Sequence, residues 1–456
     1  MYSRLKNRFY DLQTSFWFIP LTIMFFGLVL AEIMITLDRR VNFALDRFIS
    51  ASYIREADAA RALLGTIAST SVTLVGLVFS ITFVALVLSS QQYGPRMLEN
   101  FTRDRHTRIA AGLFLATFLY CTIVAGAIRD NEPEFSIPQV GVLVGLILGV
   151  LCVFSLIYYI HHLANSIRSE YIVERVSMDL RRLIDHLYPE EIGVEPPADY
   201  RPPMLTHHQH VPARESGFFQ NVIGNDLIHA AQRHNVILEL EYSPGEFVLV
   251  GTPLVTVYGE PKHLEGLHRE IHDAIDLSRE RTMEQDVRFA FDKLIETAVR
   301  SLSAAINDPI TTMMCLDRLA EGLIHLAQHG NGQRYRLDEQ GDLRLIVERP
   351  VTFVEMVGVV FTPIRRHGKH DLDVILHMLR ILRRIGSQAR TAENQQALRT
   401  QVELIREQSE VSGSYLPAEL ALIHQNCDRT ERWLTLDAPD EIDTTDEVNE
   451  VYTPRE

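Results

Sequence analysis

The sequence predicts a membrane α-helical protein with four transmembrane helices, followed by a cytosolic α+β domain that has a small β-barrel or sandwich segment and a helical remainder. Three observations carry this reading. Apolar windows of about 20 residues recur four times before Ile160, each long enough to cross roughly 30 Å of hydrocarbon as a helix. A proline-rich polar stretch then separates this apolar third from a charged remainder. Short alternating apolar runs punctuated by turn signals appear between Val211 and Tyr258, before helical spacing returns. At 456 residues the chain exceeds one ordinary domain, so at least two modules are expected.

The four windows are Phe16 to Leu37, Thr66 to Ser90, Ile109 to Ile128 and Pro138 to Ile160, within a transmembrane domain covering residues 1–167. The first lacks a small-residue cleavage site and is read as a retained span, not a signal peptide. Positive side chains mark the cytoplasmic side. Arg4, Lys6 and Arg8 precede the first span, Arg96, Arg103, Arg105 and Arg108 follow the second, and Arg168, Arg175, Arg181 and Arg182 follow the fourth. The connection after the third has Arg129 beside Asp130, Glu132 and Glu134. The first connection is mixed, with Arg39, Arg40, Arg47, Arg55 and Arg61 among four acidic residues. The expected location is a bacterial inner membrane, multi-pass, with both termini cytoplasmic and the lipid bilayer as a partner.

After the spans, residues 168–188 have the apolar spacing of a juxtamembrane helix, and residues 189–210 are too rich in proline to continue it. Residues 211–260 form the expected β module, with turns at Pro244-Gly245 and Gly251. Residues 261–435 are expected to be mainly helical, with a hairpin in "YRLDEQGDLRLIVERP" and closing helices over Asp371 to Ser409 and Pro417 to Trp433. Residues 436–456 hold eight carboxylates against Arg455 alone and read as an acidic disordered tail.

The formal net charge of -15 argues against a nucleic-acid partner, because phosphate contacts need clustered Lys and Arg. Cys121, Cys152, Cys315 and Cys427 lie far apart and suggest neither a disulfide framework nor a zinc knuckle.

Several stretches together resemble the bacterial membrane-protein family catalogued as domain of unknown function 2254. They are "FSITFVALVLSSQQYGPRML" at the end of the second span, "SGFFQNV" and "PGEFVLVGTPL" in the β segment, and "RSLSAAINDPITTMMCLDRL" in the helical part. The Ile-Asn-Asp-Pro turn in the last is the most specific, although Ala304 stands where the family pattern has Pro. The resemblance covers nearly the whole chain. It implies an inner-membrane location and a cytosolic carboxy-terminal domain, and it assigns no reaction.

Within the second span, Thr66, Ser69, Thr70, Thr73, Gly76 and Ser80 fall in an arc of roughly 120° on a helical wheel. Leu77 and Val84 share that arc, while Ser71 and Thr82 lie outside it. Small residues let helices approach closely, and Ser or Thr can bond to a carbonyl of its own helix. The same stripe could instead line a polar path, where hydroxyls replace part of an ion's water shell. Gly141, Gly145 and Gly149 repeat every four residues in the fourth span and form an expected packing ridge. A pore would need several copies around an axis, so a homo-oligomer is part of the expectation. Glu32 is the one acidic residue well inside a span and lies close enough to its end to reach the interface.

In the helical part, Asn307, Asp308, Pro309, Thr311 and Thr312 read as a turn with Asp308 as N-cap, or as an anion site at the amides of the following helix. The β segment also resembles lipoyl or biotinyl sandwiches, but "HNVILELE" offers no Lys for acylation. Histidines at "THHQH", Thr206 to His210, and at His268 with His272 invite metal readings, yet neither group brings a third ligand. No Walker A loop, HExxH, nucleophile elbow or kinase signature occurs. The expectation is therefore no enzyme, no catalytic residue, no metal and no cofactor. It favours a channel or transport-like protein with a cytosolic regulatory domain, over a non-conducting anchored sensor or scaffold with an unspecified cytosolic ligand or protein partner.

Overall fold

Unbroken apolar runs become four long helices: α1 (Phe18–Arg40), α2 (Ala57–Tyr93), α3 (Arg105–Ala127) and α4 (Gln139–Ser166). The computed structural model describes residues 17–40, 56–94, 104–128, 137–166, 168–187, 208–283, 285–329, 334–347 and 351–435, together with Pro196, Tyr200 and Pro202. These helices are long and apolar enough to cross a membrane. The chain divides into two units, Met1–Ile172 and Val173–Glu456. The proposed acidic tail, most of the proline-rich linker, Pro95 and Arg96 lie outside the described residues.

In the first unit α3 is the central helix and packs against α1, α2 and α4. Its small side chains explain that position. Gly112 faces Pro20 and Ile23 of α1, and Ala116 meets Gly27, with no room for a Cβ at either glycine. One core joins Ala31, Leu64, Tyr120, Val124 and Val142; another joins Val78, Ala85, Phe114, Cys152 and Tyr159. At 37 residues α2 is about 55 Å long, well beyond a hydrocarbon thickness of about 30 Å. It ends at Gly94, whose φ of 99° suits glycine.

The second unit begins within α5 (Ser169–Leu187). Its strands are β1 (His208–Pro212), β2 (Gly217–Val222), β3 (Ile237–Leu240), β4 (Phe247–Val248), β5 (Pro253–Tyr258), β6 (Ile275–Ser278), β7 (Tyr335–Leu337) and β8 (Leu343–Ile346). A five-stranded sheet has the order β1-β5-β3-β8-β7, and a three-stranded sheet has the order β4-β2-β6. Among the described residues only β3 and β8 pair in parallel, with Leu238 opposite Leu345. Helices α6 (Gly224–His234) and α7 (Leu264–Ala274) pack together.

The expected β module over residues 211–260 supplies only part of the two sheets. Its sheets recruit strands from 275–278 and 335–346, and α6 interrupts it. Leu227, Ile228 and Ala231 give α6 one buried face, and Asn235 ends it in the left-handed region at φ 53°. The expected hairpin is β7 and β8.

The helical remainder consists of α8 (Val287–Ser301), α9 (Pro309–His329), α10 (Phe353–His367), α11 (Leu372–Gln388), α12 (Ala392–Ser412) and α13 (Pro417–Thr435). The stretch Asp371 to Ser409 is two helices, because Thr391 starts a new one by accepting from the Asn394 amide. Asp286, Thr352 and Asp371 cap α8, α10 and α11 in the same way.

Candidate functional site

The hydroxyl face of α2 points away from the four-helix bundle. Ala60, Leu64, Ala68, Ser71, Val78, Ala85 and Ser89 are buried on α2, whereas Thr66, Ser69, Thr70, Thr73, Gly76 and Ser80 are all exposed. No atom would meet a Cβ built at Gly76 within 4 Å. Thr66 Oγ1 donates to the Ala62 carbonyl at 2.8 Å, Ser69 Oγ to Thr66 at 3.1 Å and Thr73 Oγ1 to Ser69 at 3.0 Å. Ser71 and Thr82, outside the stripe, instead pack within this unit. Ser71 is buried and bonds to Ile67 O, while Thr82 Oγ1 lies 2.7 Å from the Tyr159 hydroxyl.

The glycine ridge of α4 lies at helix contacts. A Cβ at Gly141 would approach Val124 to 3.1 Å, one at Gly145 would approach Leu64 to 2.6 Å, and one at Gly149 would meet Ile67 at 3.3 Å. Gly141 is also a polar junction, because its carbonyl accepts from the Tyr120 hydroxyl at 2.9 Å. At that same end Arg61 Nη2 donates to the Ile128 carbonyl at 2.9 Å, closing the C-terminus of α3. Glu32 is exposed on α1.

At the opposite end of the bundle, the start of α3 meets the end of α4. His162 Nε2 lies 3.1 Å from Asp104 Oδ1, and the His106 and His162 rings are 4.3 Å apart. Sequence reasoning missed this group because Asp104 and His162 are 58 positions apart. The available signal was position: a capping Asp and a His begin one span, and another His ends the next span, which runs antiparallel to it.

The Asn307-Asp308-Pro309 turn joins α8 to α9. Asn307 adopts φ 48°, and Asp308 accepts from the Thr311 amide at 3.1 Å and from the Thr311 hydroxyl at 2.6 Å. Thr312 is buried, with its hydroxyl 2.6 Å from Ser301 Oγ. The carboxylate of Asp308 thus occupies the position a bound anion would take at the start of α9.

Of the histidine groups, Thr206 and His207 lie outside the described residues. His210 Nδ1 lies 2.9 Å from Thr256 Oγ1 across the sheet, an ordinary cross-strand contact. Burial, then Arg214 and His268, hold the His272 imidazole below its usual pKa. The four cysteines are buried and free. Burial pushes the Cys427 thiol up to about 12, which leaves little thiolate at neutral pH.

Residues 13–384 match the family described as a predicted membrane protein, domain of unknown function 2254 (DUF2254). The chain belongs to the DUF2254 family. The DUF2254 match takes in all four apolar helices and both sheets. An uncharacterised protein of Mycobacterium tuberculosis is 28% identical over 424 residues, covering 89% of this chain and 78% of its own length. An uncharacterised protein of Mycobacterium bovis is similar to the same extent. No solved structure matches the chain.

Proposed function

We propose that this DUF2254 protein is a bacterial inner-membrane channel or transport-like protein, homo-oligomeric, in which the hydroxyl face of α2 lines a polar path and the second unit is a cytosolic regulatory domain. The carrying observation is the outward orientation of Thr66, Ser69, Thr70, Thr73, Gly76 and Ser80. Four helices already packed on each other do not cover that face, so copies arranged about an axis would gather it at the centre. Hydroxyls in that position offer an ion oxygen ligands while keeping the wall uncharged. The glycine ridge supports the same division of labour, since α4 packs through it against α2 and α3 and leaves the stripe free.

A second reading is a non-conducting membrane-anchored sensor or scaffold. It draws support from the bonds of Thr66, Ser69 and Thr73 to carbonyls of their own helix, which make a lipid-facing stripe affordable. Conductance of the purified protein in planar bilayers, paired with its mass in mild detergent, separates the two. The channel reading expects an oligomer whose conductance falls on Thr73→Leu, because an apolar ring at mid-membrane gates by dewetting. A monomer with no conductance supports the scaffold.

A further inference from the structure

We infer that Asp104, His106 and His162 form a binding site for a divalent transition-metal ion of the Zn2+ class, clasping the start of α3 to the end of α4. One ligand atom from each of the three lies within 4.8 Å of the others. Around a tetrahedral zinc with bonds of about 2.0–2.2 Å, ligand atoms stand roughly 3.3–3.6 Å apart. Asp104 Oδ1 and His162 Nε2 are already at 3.1 Å. The remaining adjustment falls to His106, which is exposed.

The surroundings hold these groups ready. Asp104 Oδ2 is occupied by the Thr107 amide at 3.0 Å and the Thr107 hydroxyl at 2.7 Å, which turns Oδ1 toward His162. The Tyr158 hydroxyl lies 3.2 Å from His106 Nδ1 and orients that ring, while the Ser166 hydroxyl, 3.3 Å from His162 Nε2, would have to turn away to let an ion bind. Partners that fix the orientation of a ligating His or carboxylate are a regular part of metal sites. Two imidazoles and one carboxylate select zinc-like ions over Mg2+ or Ca2+, which prefer all-oxygen shells. Three protein ligands leave a fourth position for water. Because one ligand pair bridges two spans, the ion would stiffen one end of the bundle independently of what α2 lines.

The test uses the full-length protein in detergent with its purification tag removed, dialysed against micromolar ZnCl2 and assayed for metal per chain. The wild type should hold one zinc ion that His106→Ala and His162→Ala lose, while a His208→Ala/His210→Ala variant keeps it. Thr107→Val, which retains both histidines and Asp104, should weaken affinity by roughly 10-fold or more. Co2+ loaded in place of Zn2+ should give the visible absorption of a tetrahedral ion in the wild type and not in His106→Ala. His106 is exposed, so its loss leaves the fold intact. Equal metal content in wild type and His106→Ala, or none in either, would overturn the site and leave a hydrogen bond between Asp104 and His162.

Discussion

Asp38 Oδ2 accepts a hydrogen bond from the Gly141 amide at 2.9 Å, across 103 positions of sequence. Asp38 Oδ1 accepts a second from Val140 at 3.1 Å. The end of α1 therefore caps the start of α4, where the first amides of a helix have no partner of their own. Asp38→Ala should lower stability by about 1 kcal/mol, as loss of an N-cap does, and Asp38→Asn by less. Thermal unfolding in detergent checks this; an unchanged melting temperature for Asp38→Ala would mean the contact contributes nothing.

The turn between α8 and α9 makes a parallel case in the second unit. Asp308→Ala removes the bond to the Thr311 amide and should cost about 1 kcal/mol without abolishing the fold. Asp308→Asn should cost less. Melts of the full chain that are unchanged while cellular function disappears would show that capping is not the whole role of this residue.

Acid sensitivity should concentrate at Asp338. Its side chain is fully buried, 2.7 Å from Arg344 Nε, and accepts from the amides of Gln340 at 3.0 Å and Asp342 at 2.9 Å. Burial acts to raise its pKa, but the Arg344 bond and the Asp342 amide together hold it below the ordinary carboxylate value. A folded-state pKa below the unfolded value of about 3.9 means that the carboxylate stabilises the fold above the unfolded pKa. That contribution is lost as pH falls through the folded-state value. Asp338→Asn should therefore be less stable than wild type at pH 7, with the gap narrowing below about pH 4. Denaturation curves that stay equally separated at both pH values would contradict this assignment.

Orientation is testable by reporter fusions. The Arg and Lys distribution predicts both termini and residues 91–108 on the cytoplasmic side, with residues 38–61 and 129–137 outside. A fusion at Glu132 should report the periplasm and one at Ser409 the cytoplasm. The reverse result at either position would overturn this orientation.

The four long apolar helices were legible because length and hydropathy act locally, although α2 starts at Ala57 instead of Thr66 and α4 runs on to Ser166. The glycine ridge was legible for the same reason: three positions on one helix face need no knowledge of the partner. The capping role of Asp308 could be read from its own neighbours. Long-range pairing could not. The parallel contact of Leu238 with Leu345 and the Asp38 cap on α4 depend on segments about a hundred positions apart, where local periodicity carries no information. Helix α6 was missed because its 11 residues sit among short alternating runs, and one apolar face of that length is easily read as strand.

The central claim concerns the exposed face of α2, and cysteine accessibility addresses it most directly. In a background lacking Cys121, Cys152, Cys315 and Cys427, Ser69→Cys, Thr73→Cys and Ser80→Cys are each exposed to a membrane-impermeant thiol reagent in intact membranes. Val75→Cys and Leu86→Cys, at half-buried positions of the same helix, serve as controls. Thiolate formation needs water, so a hydrated stripe should label readily and the controls more slowly. Stripe cysteines that stay as inert as the controls, with a monomeric mass in mild detergent, would contradict the polar path.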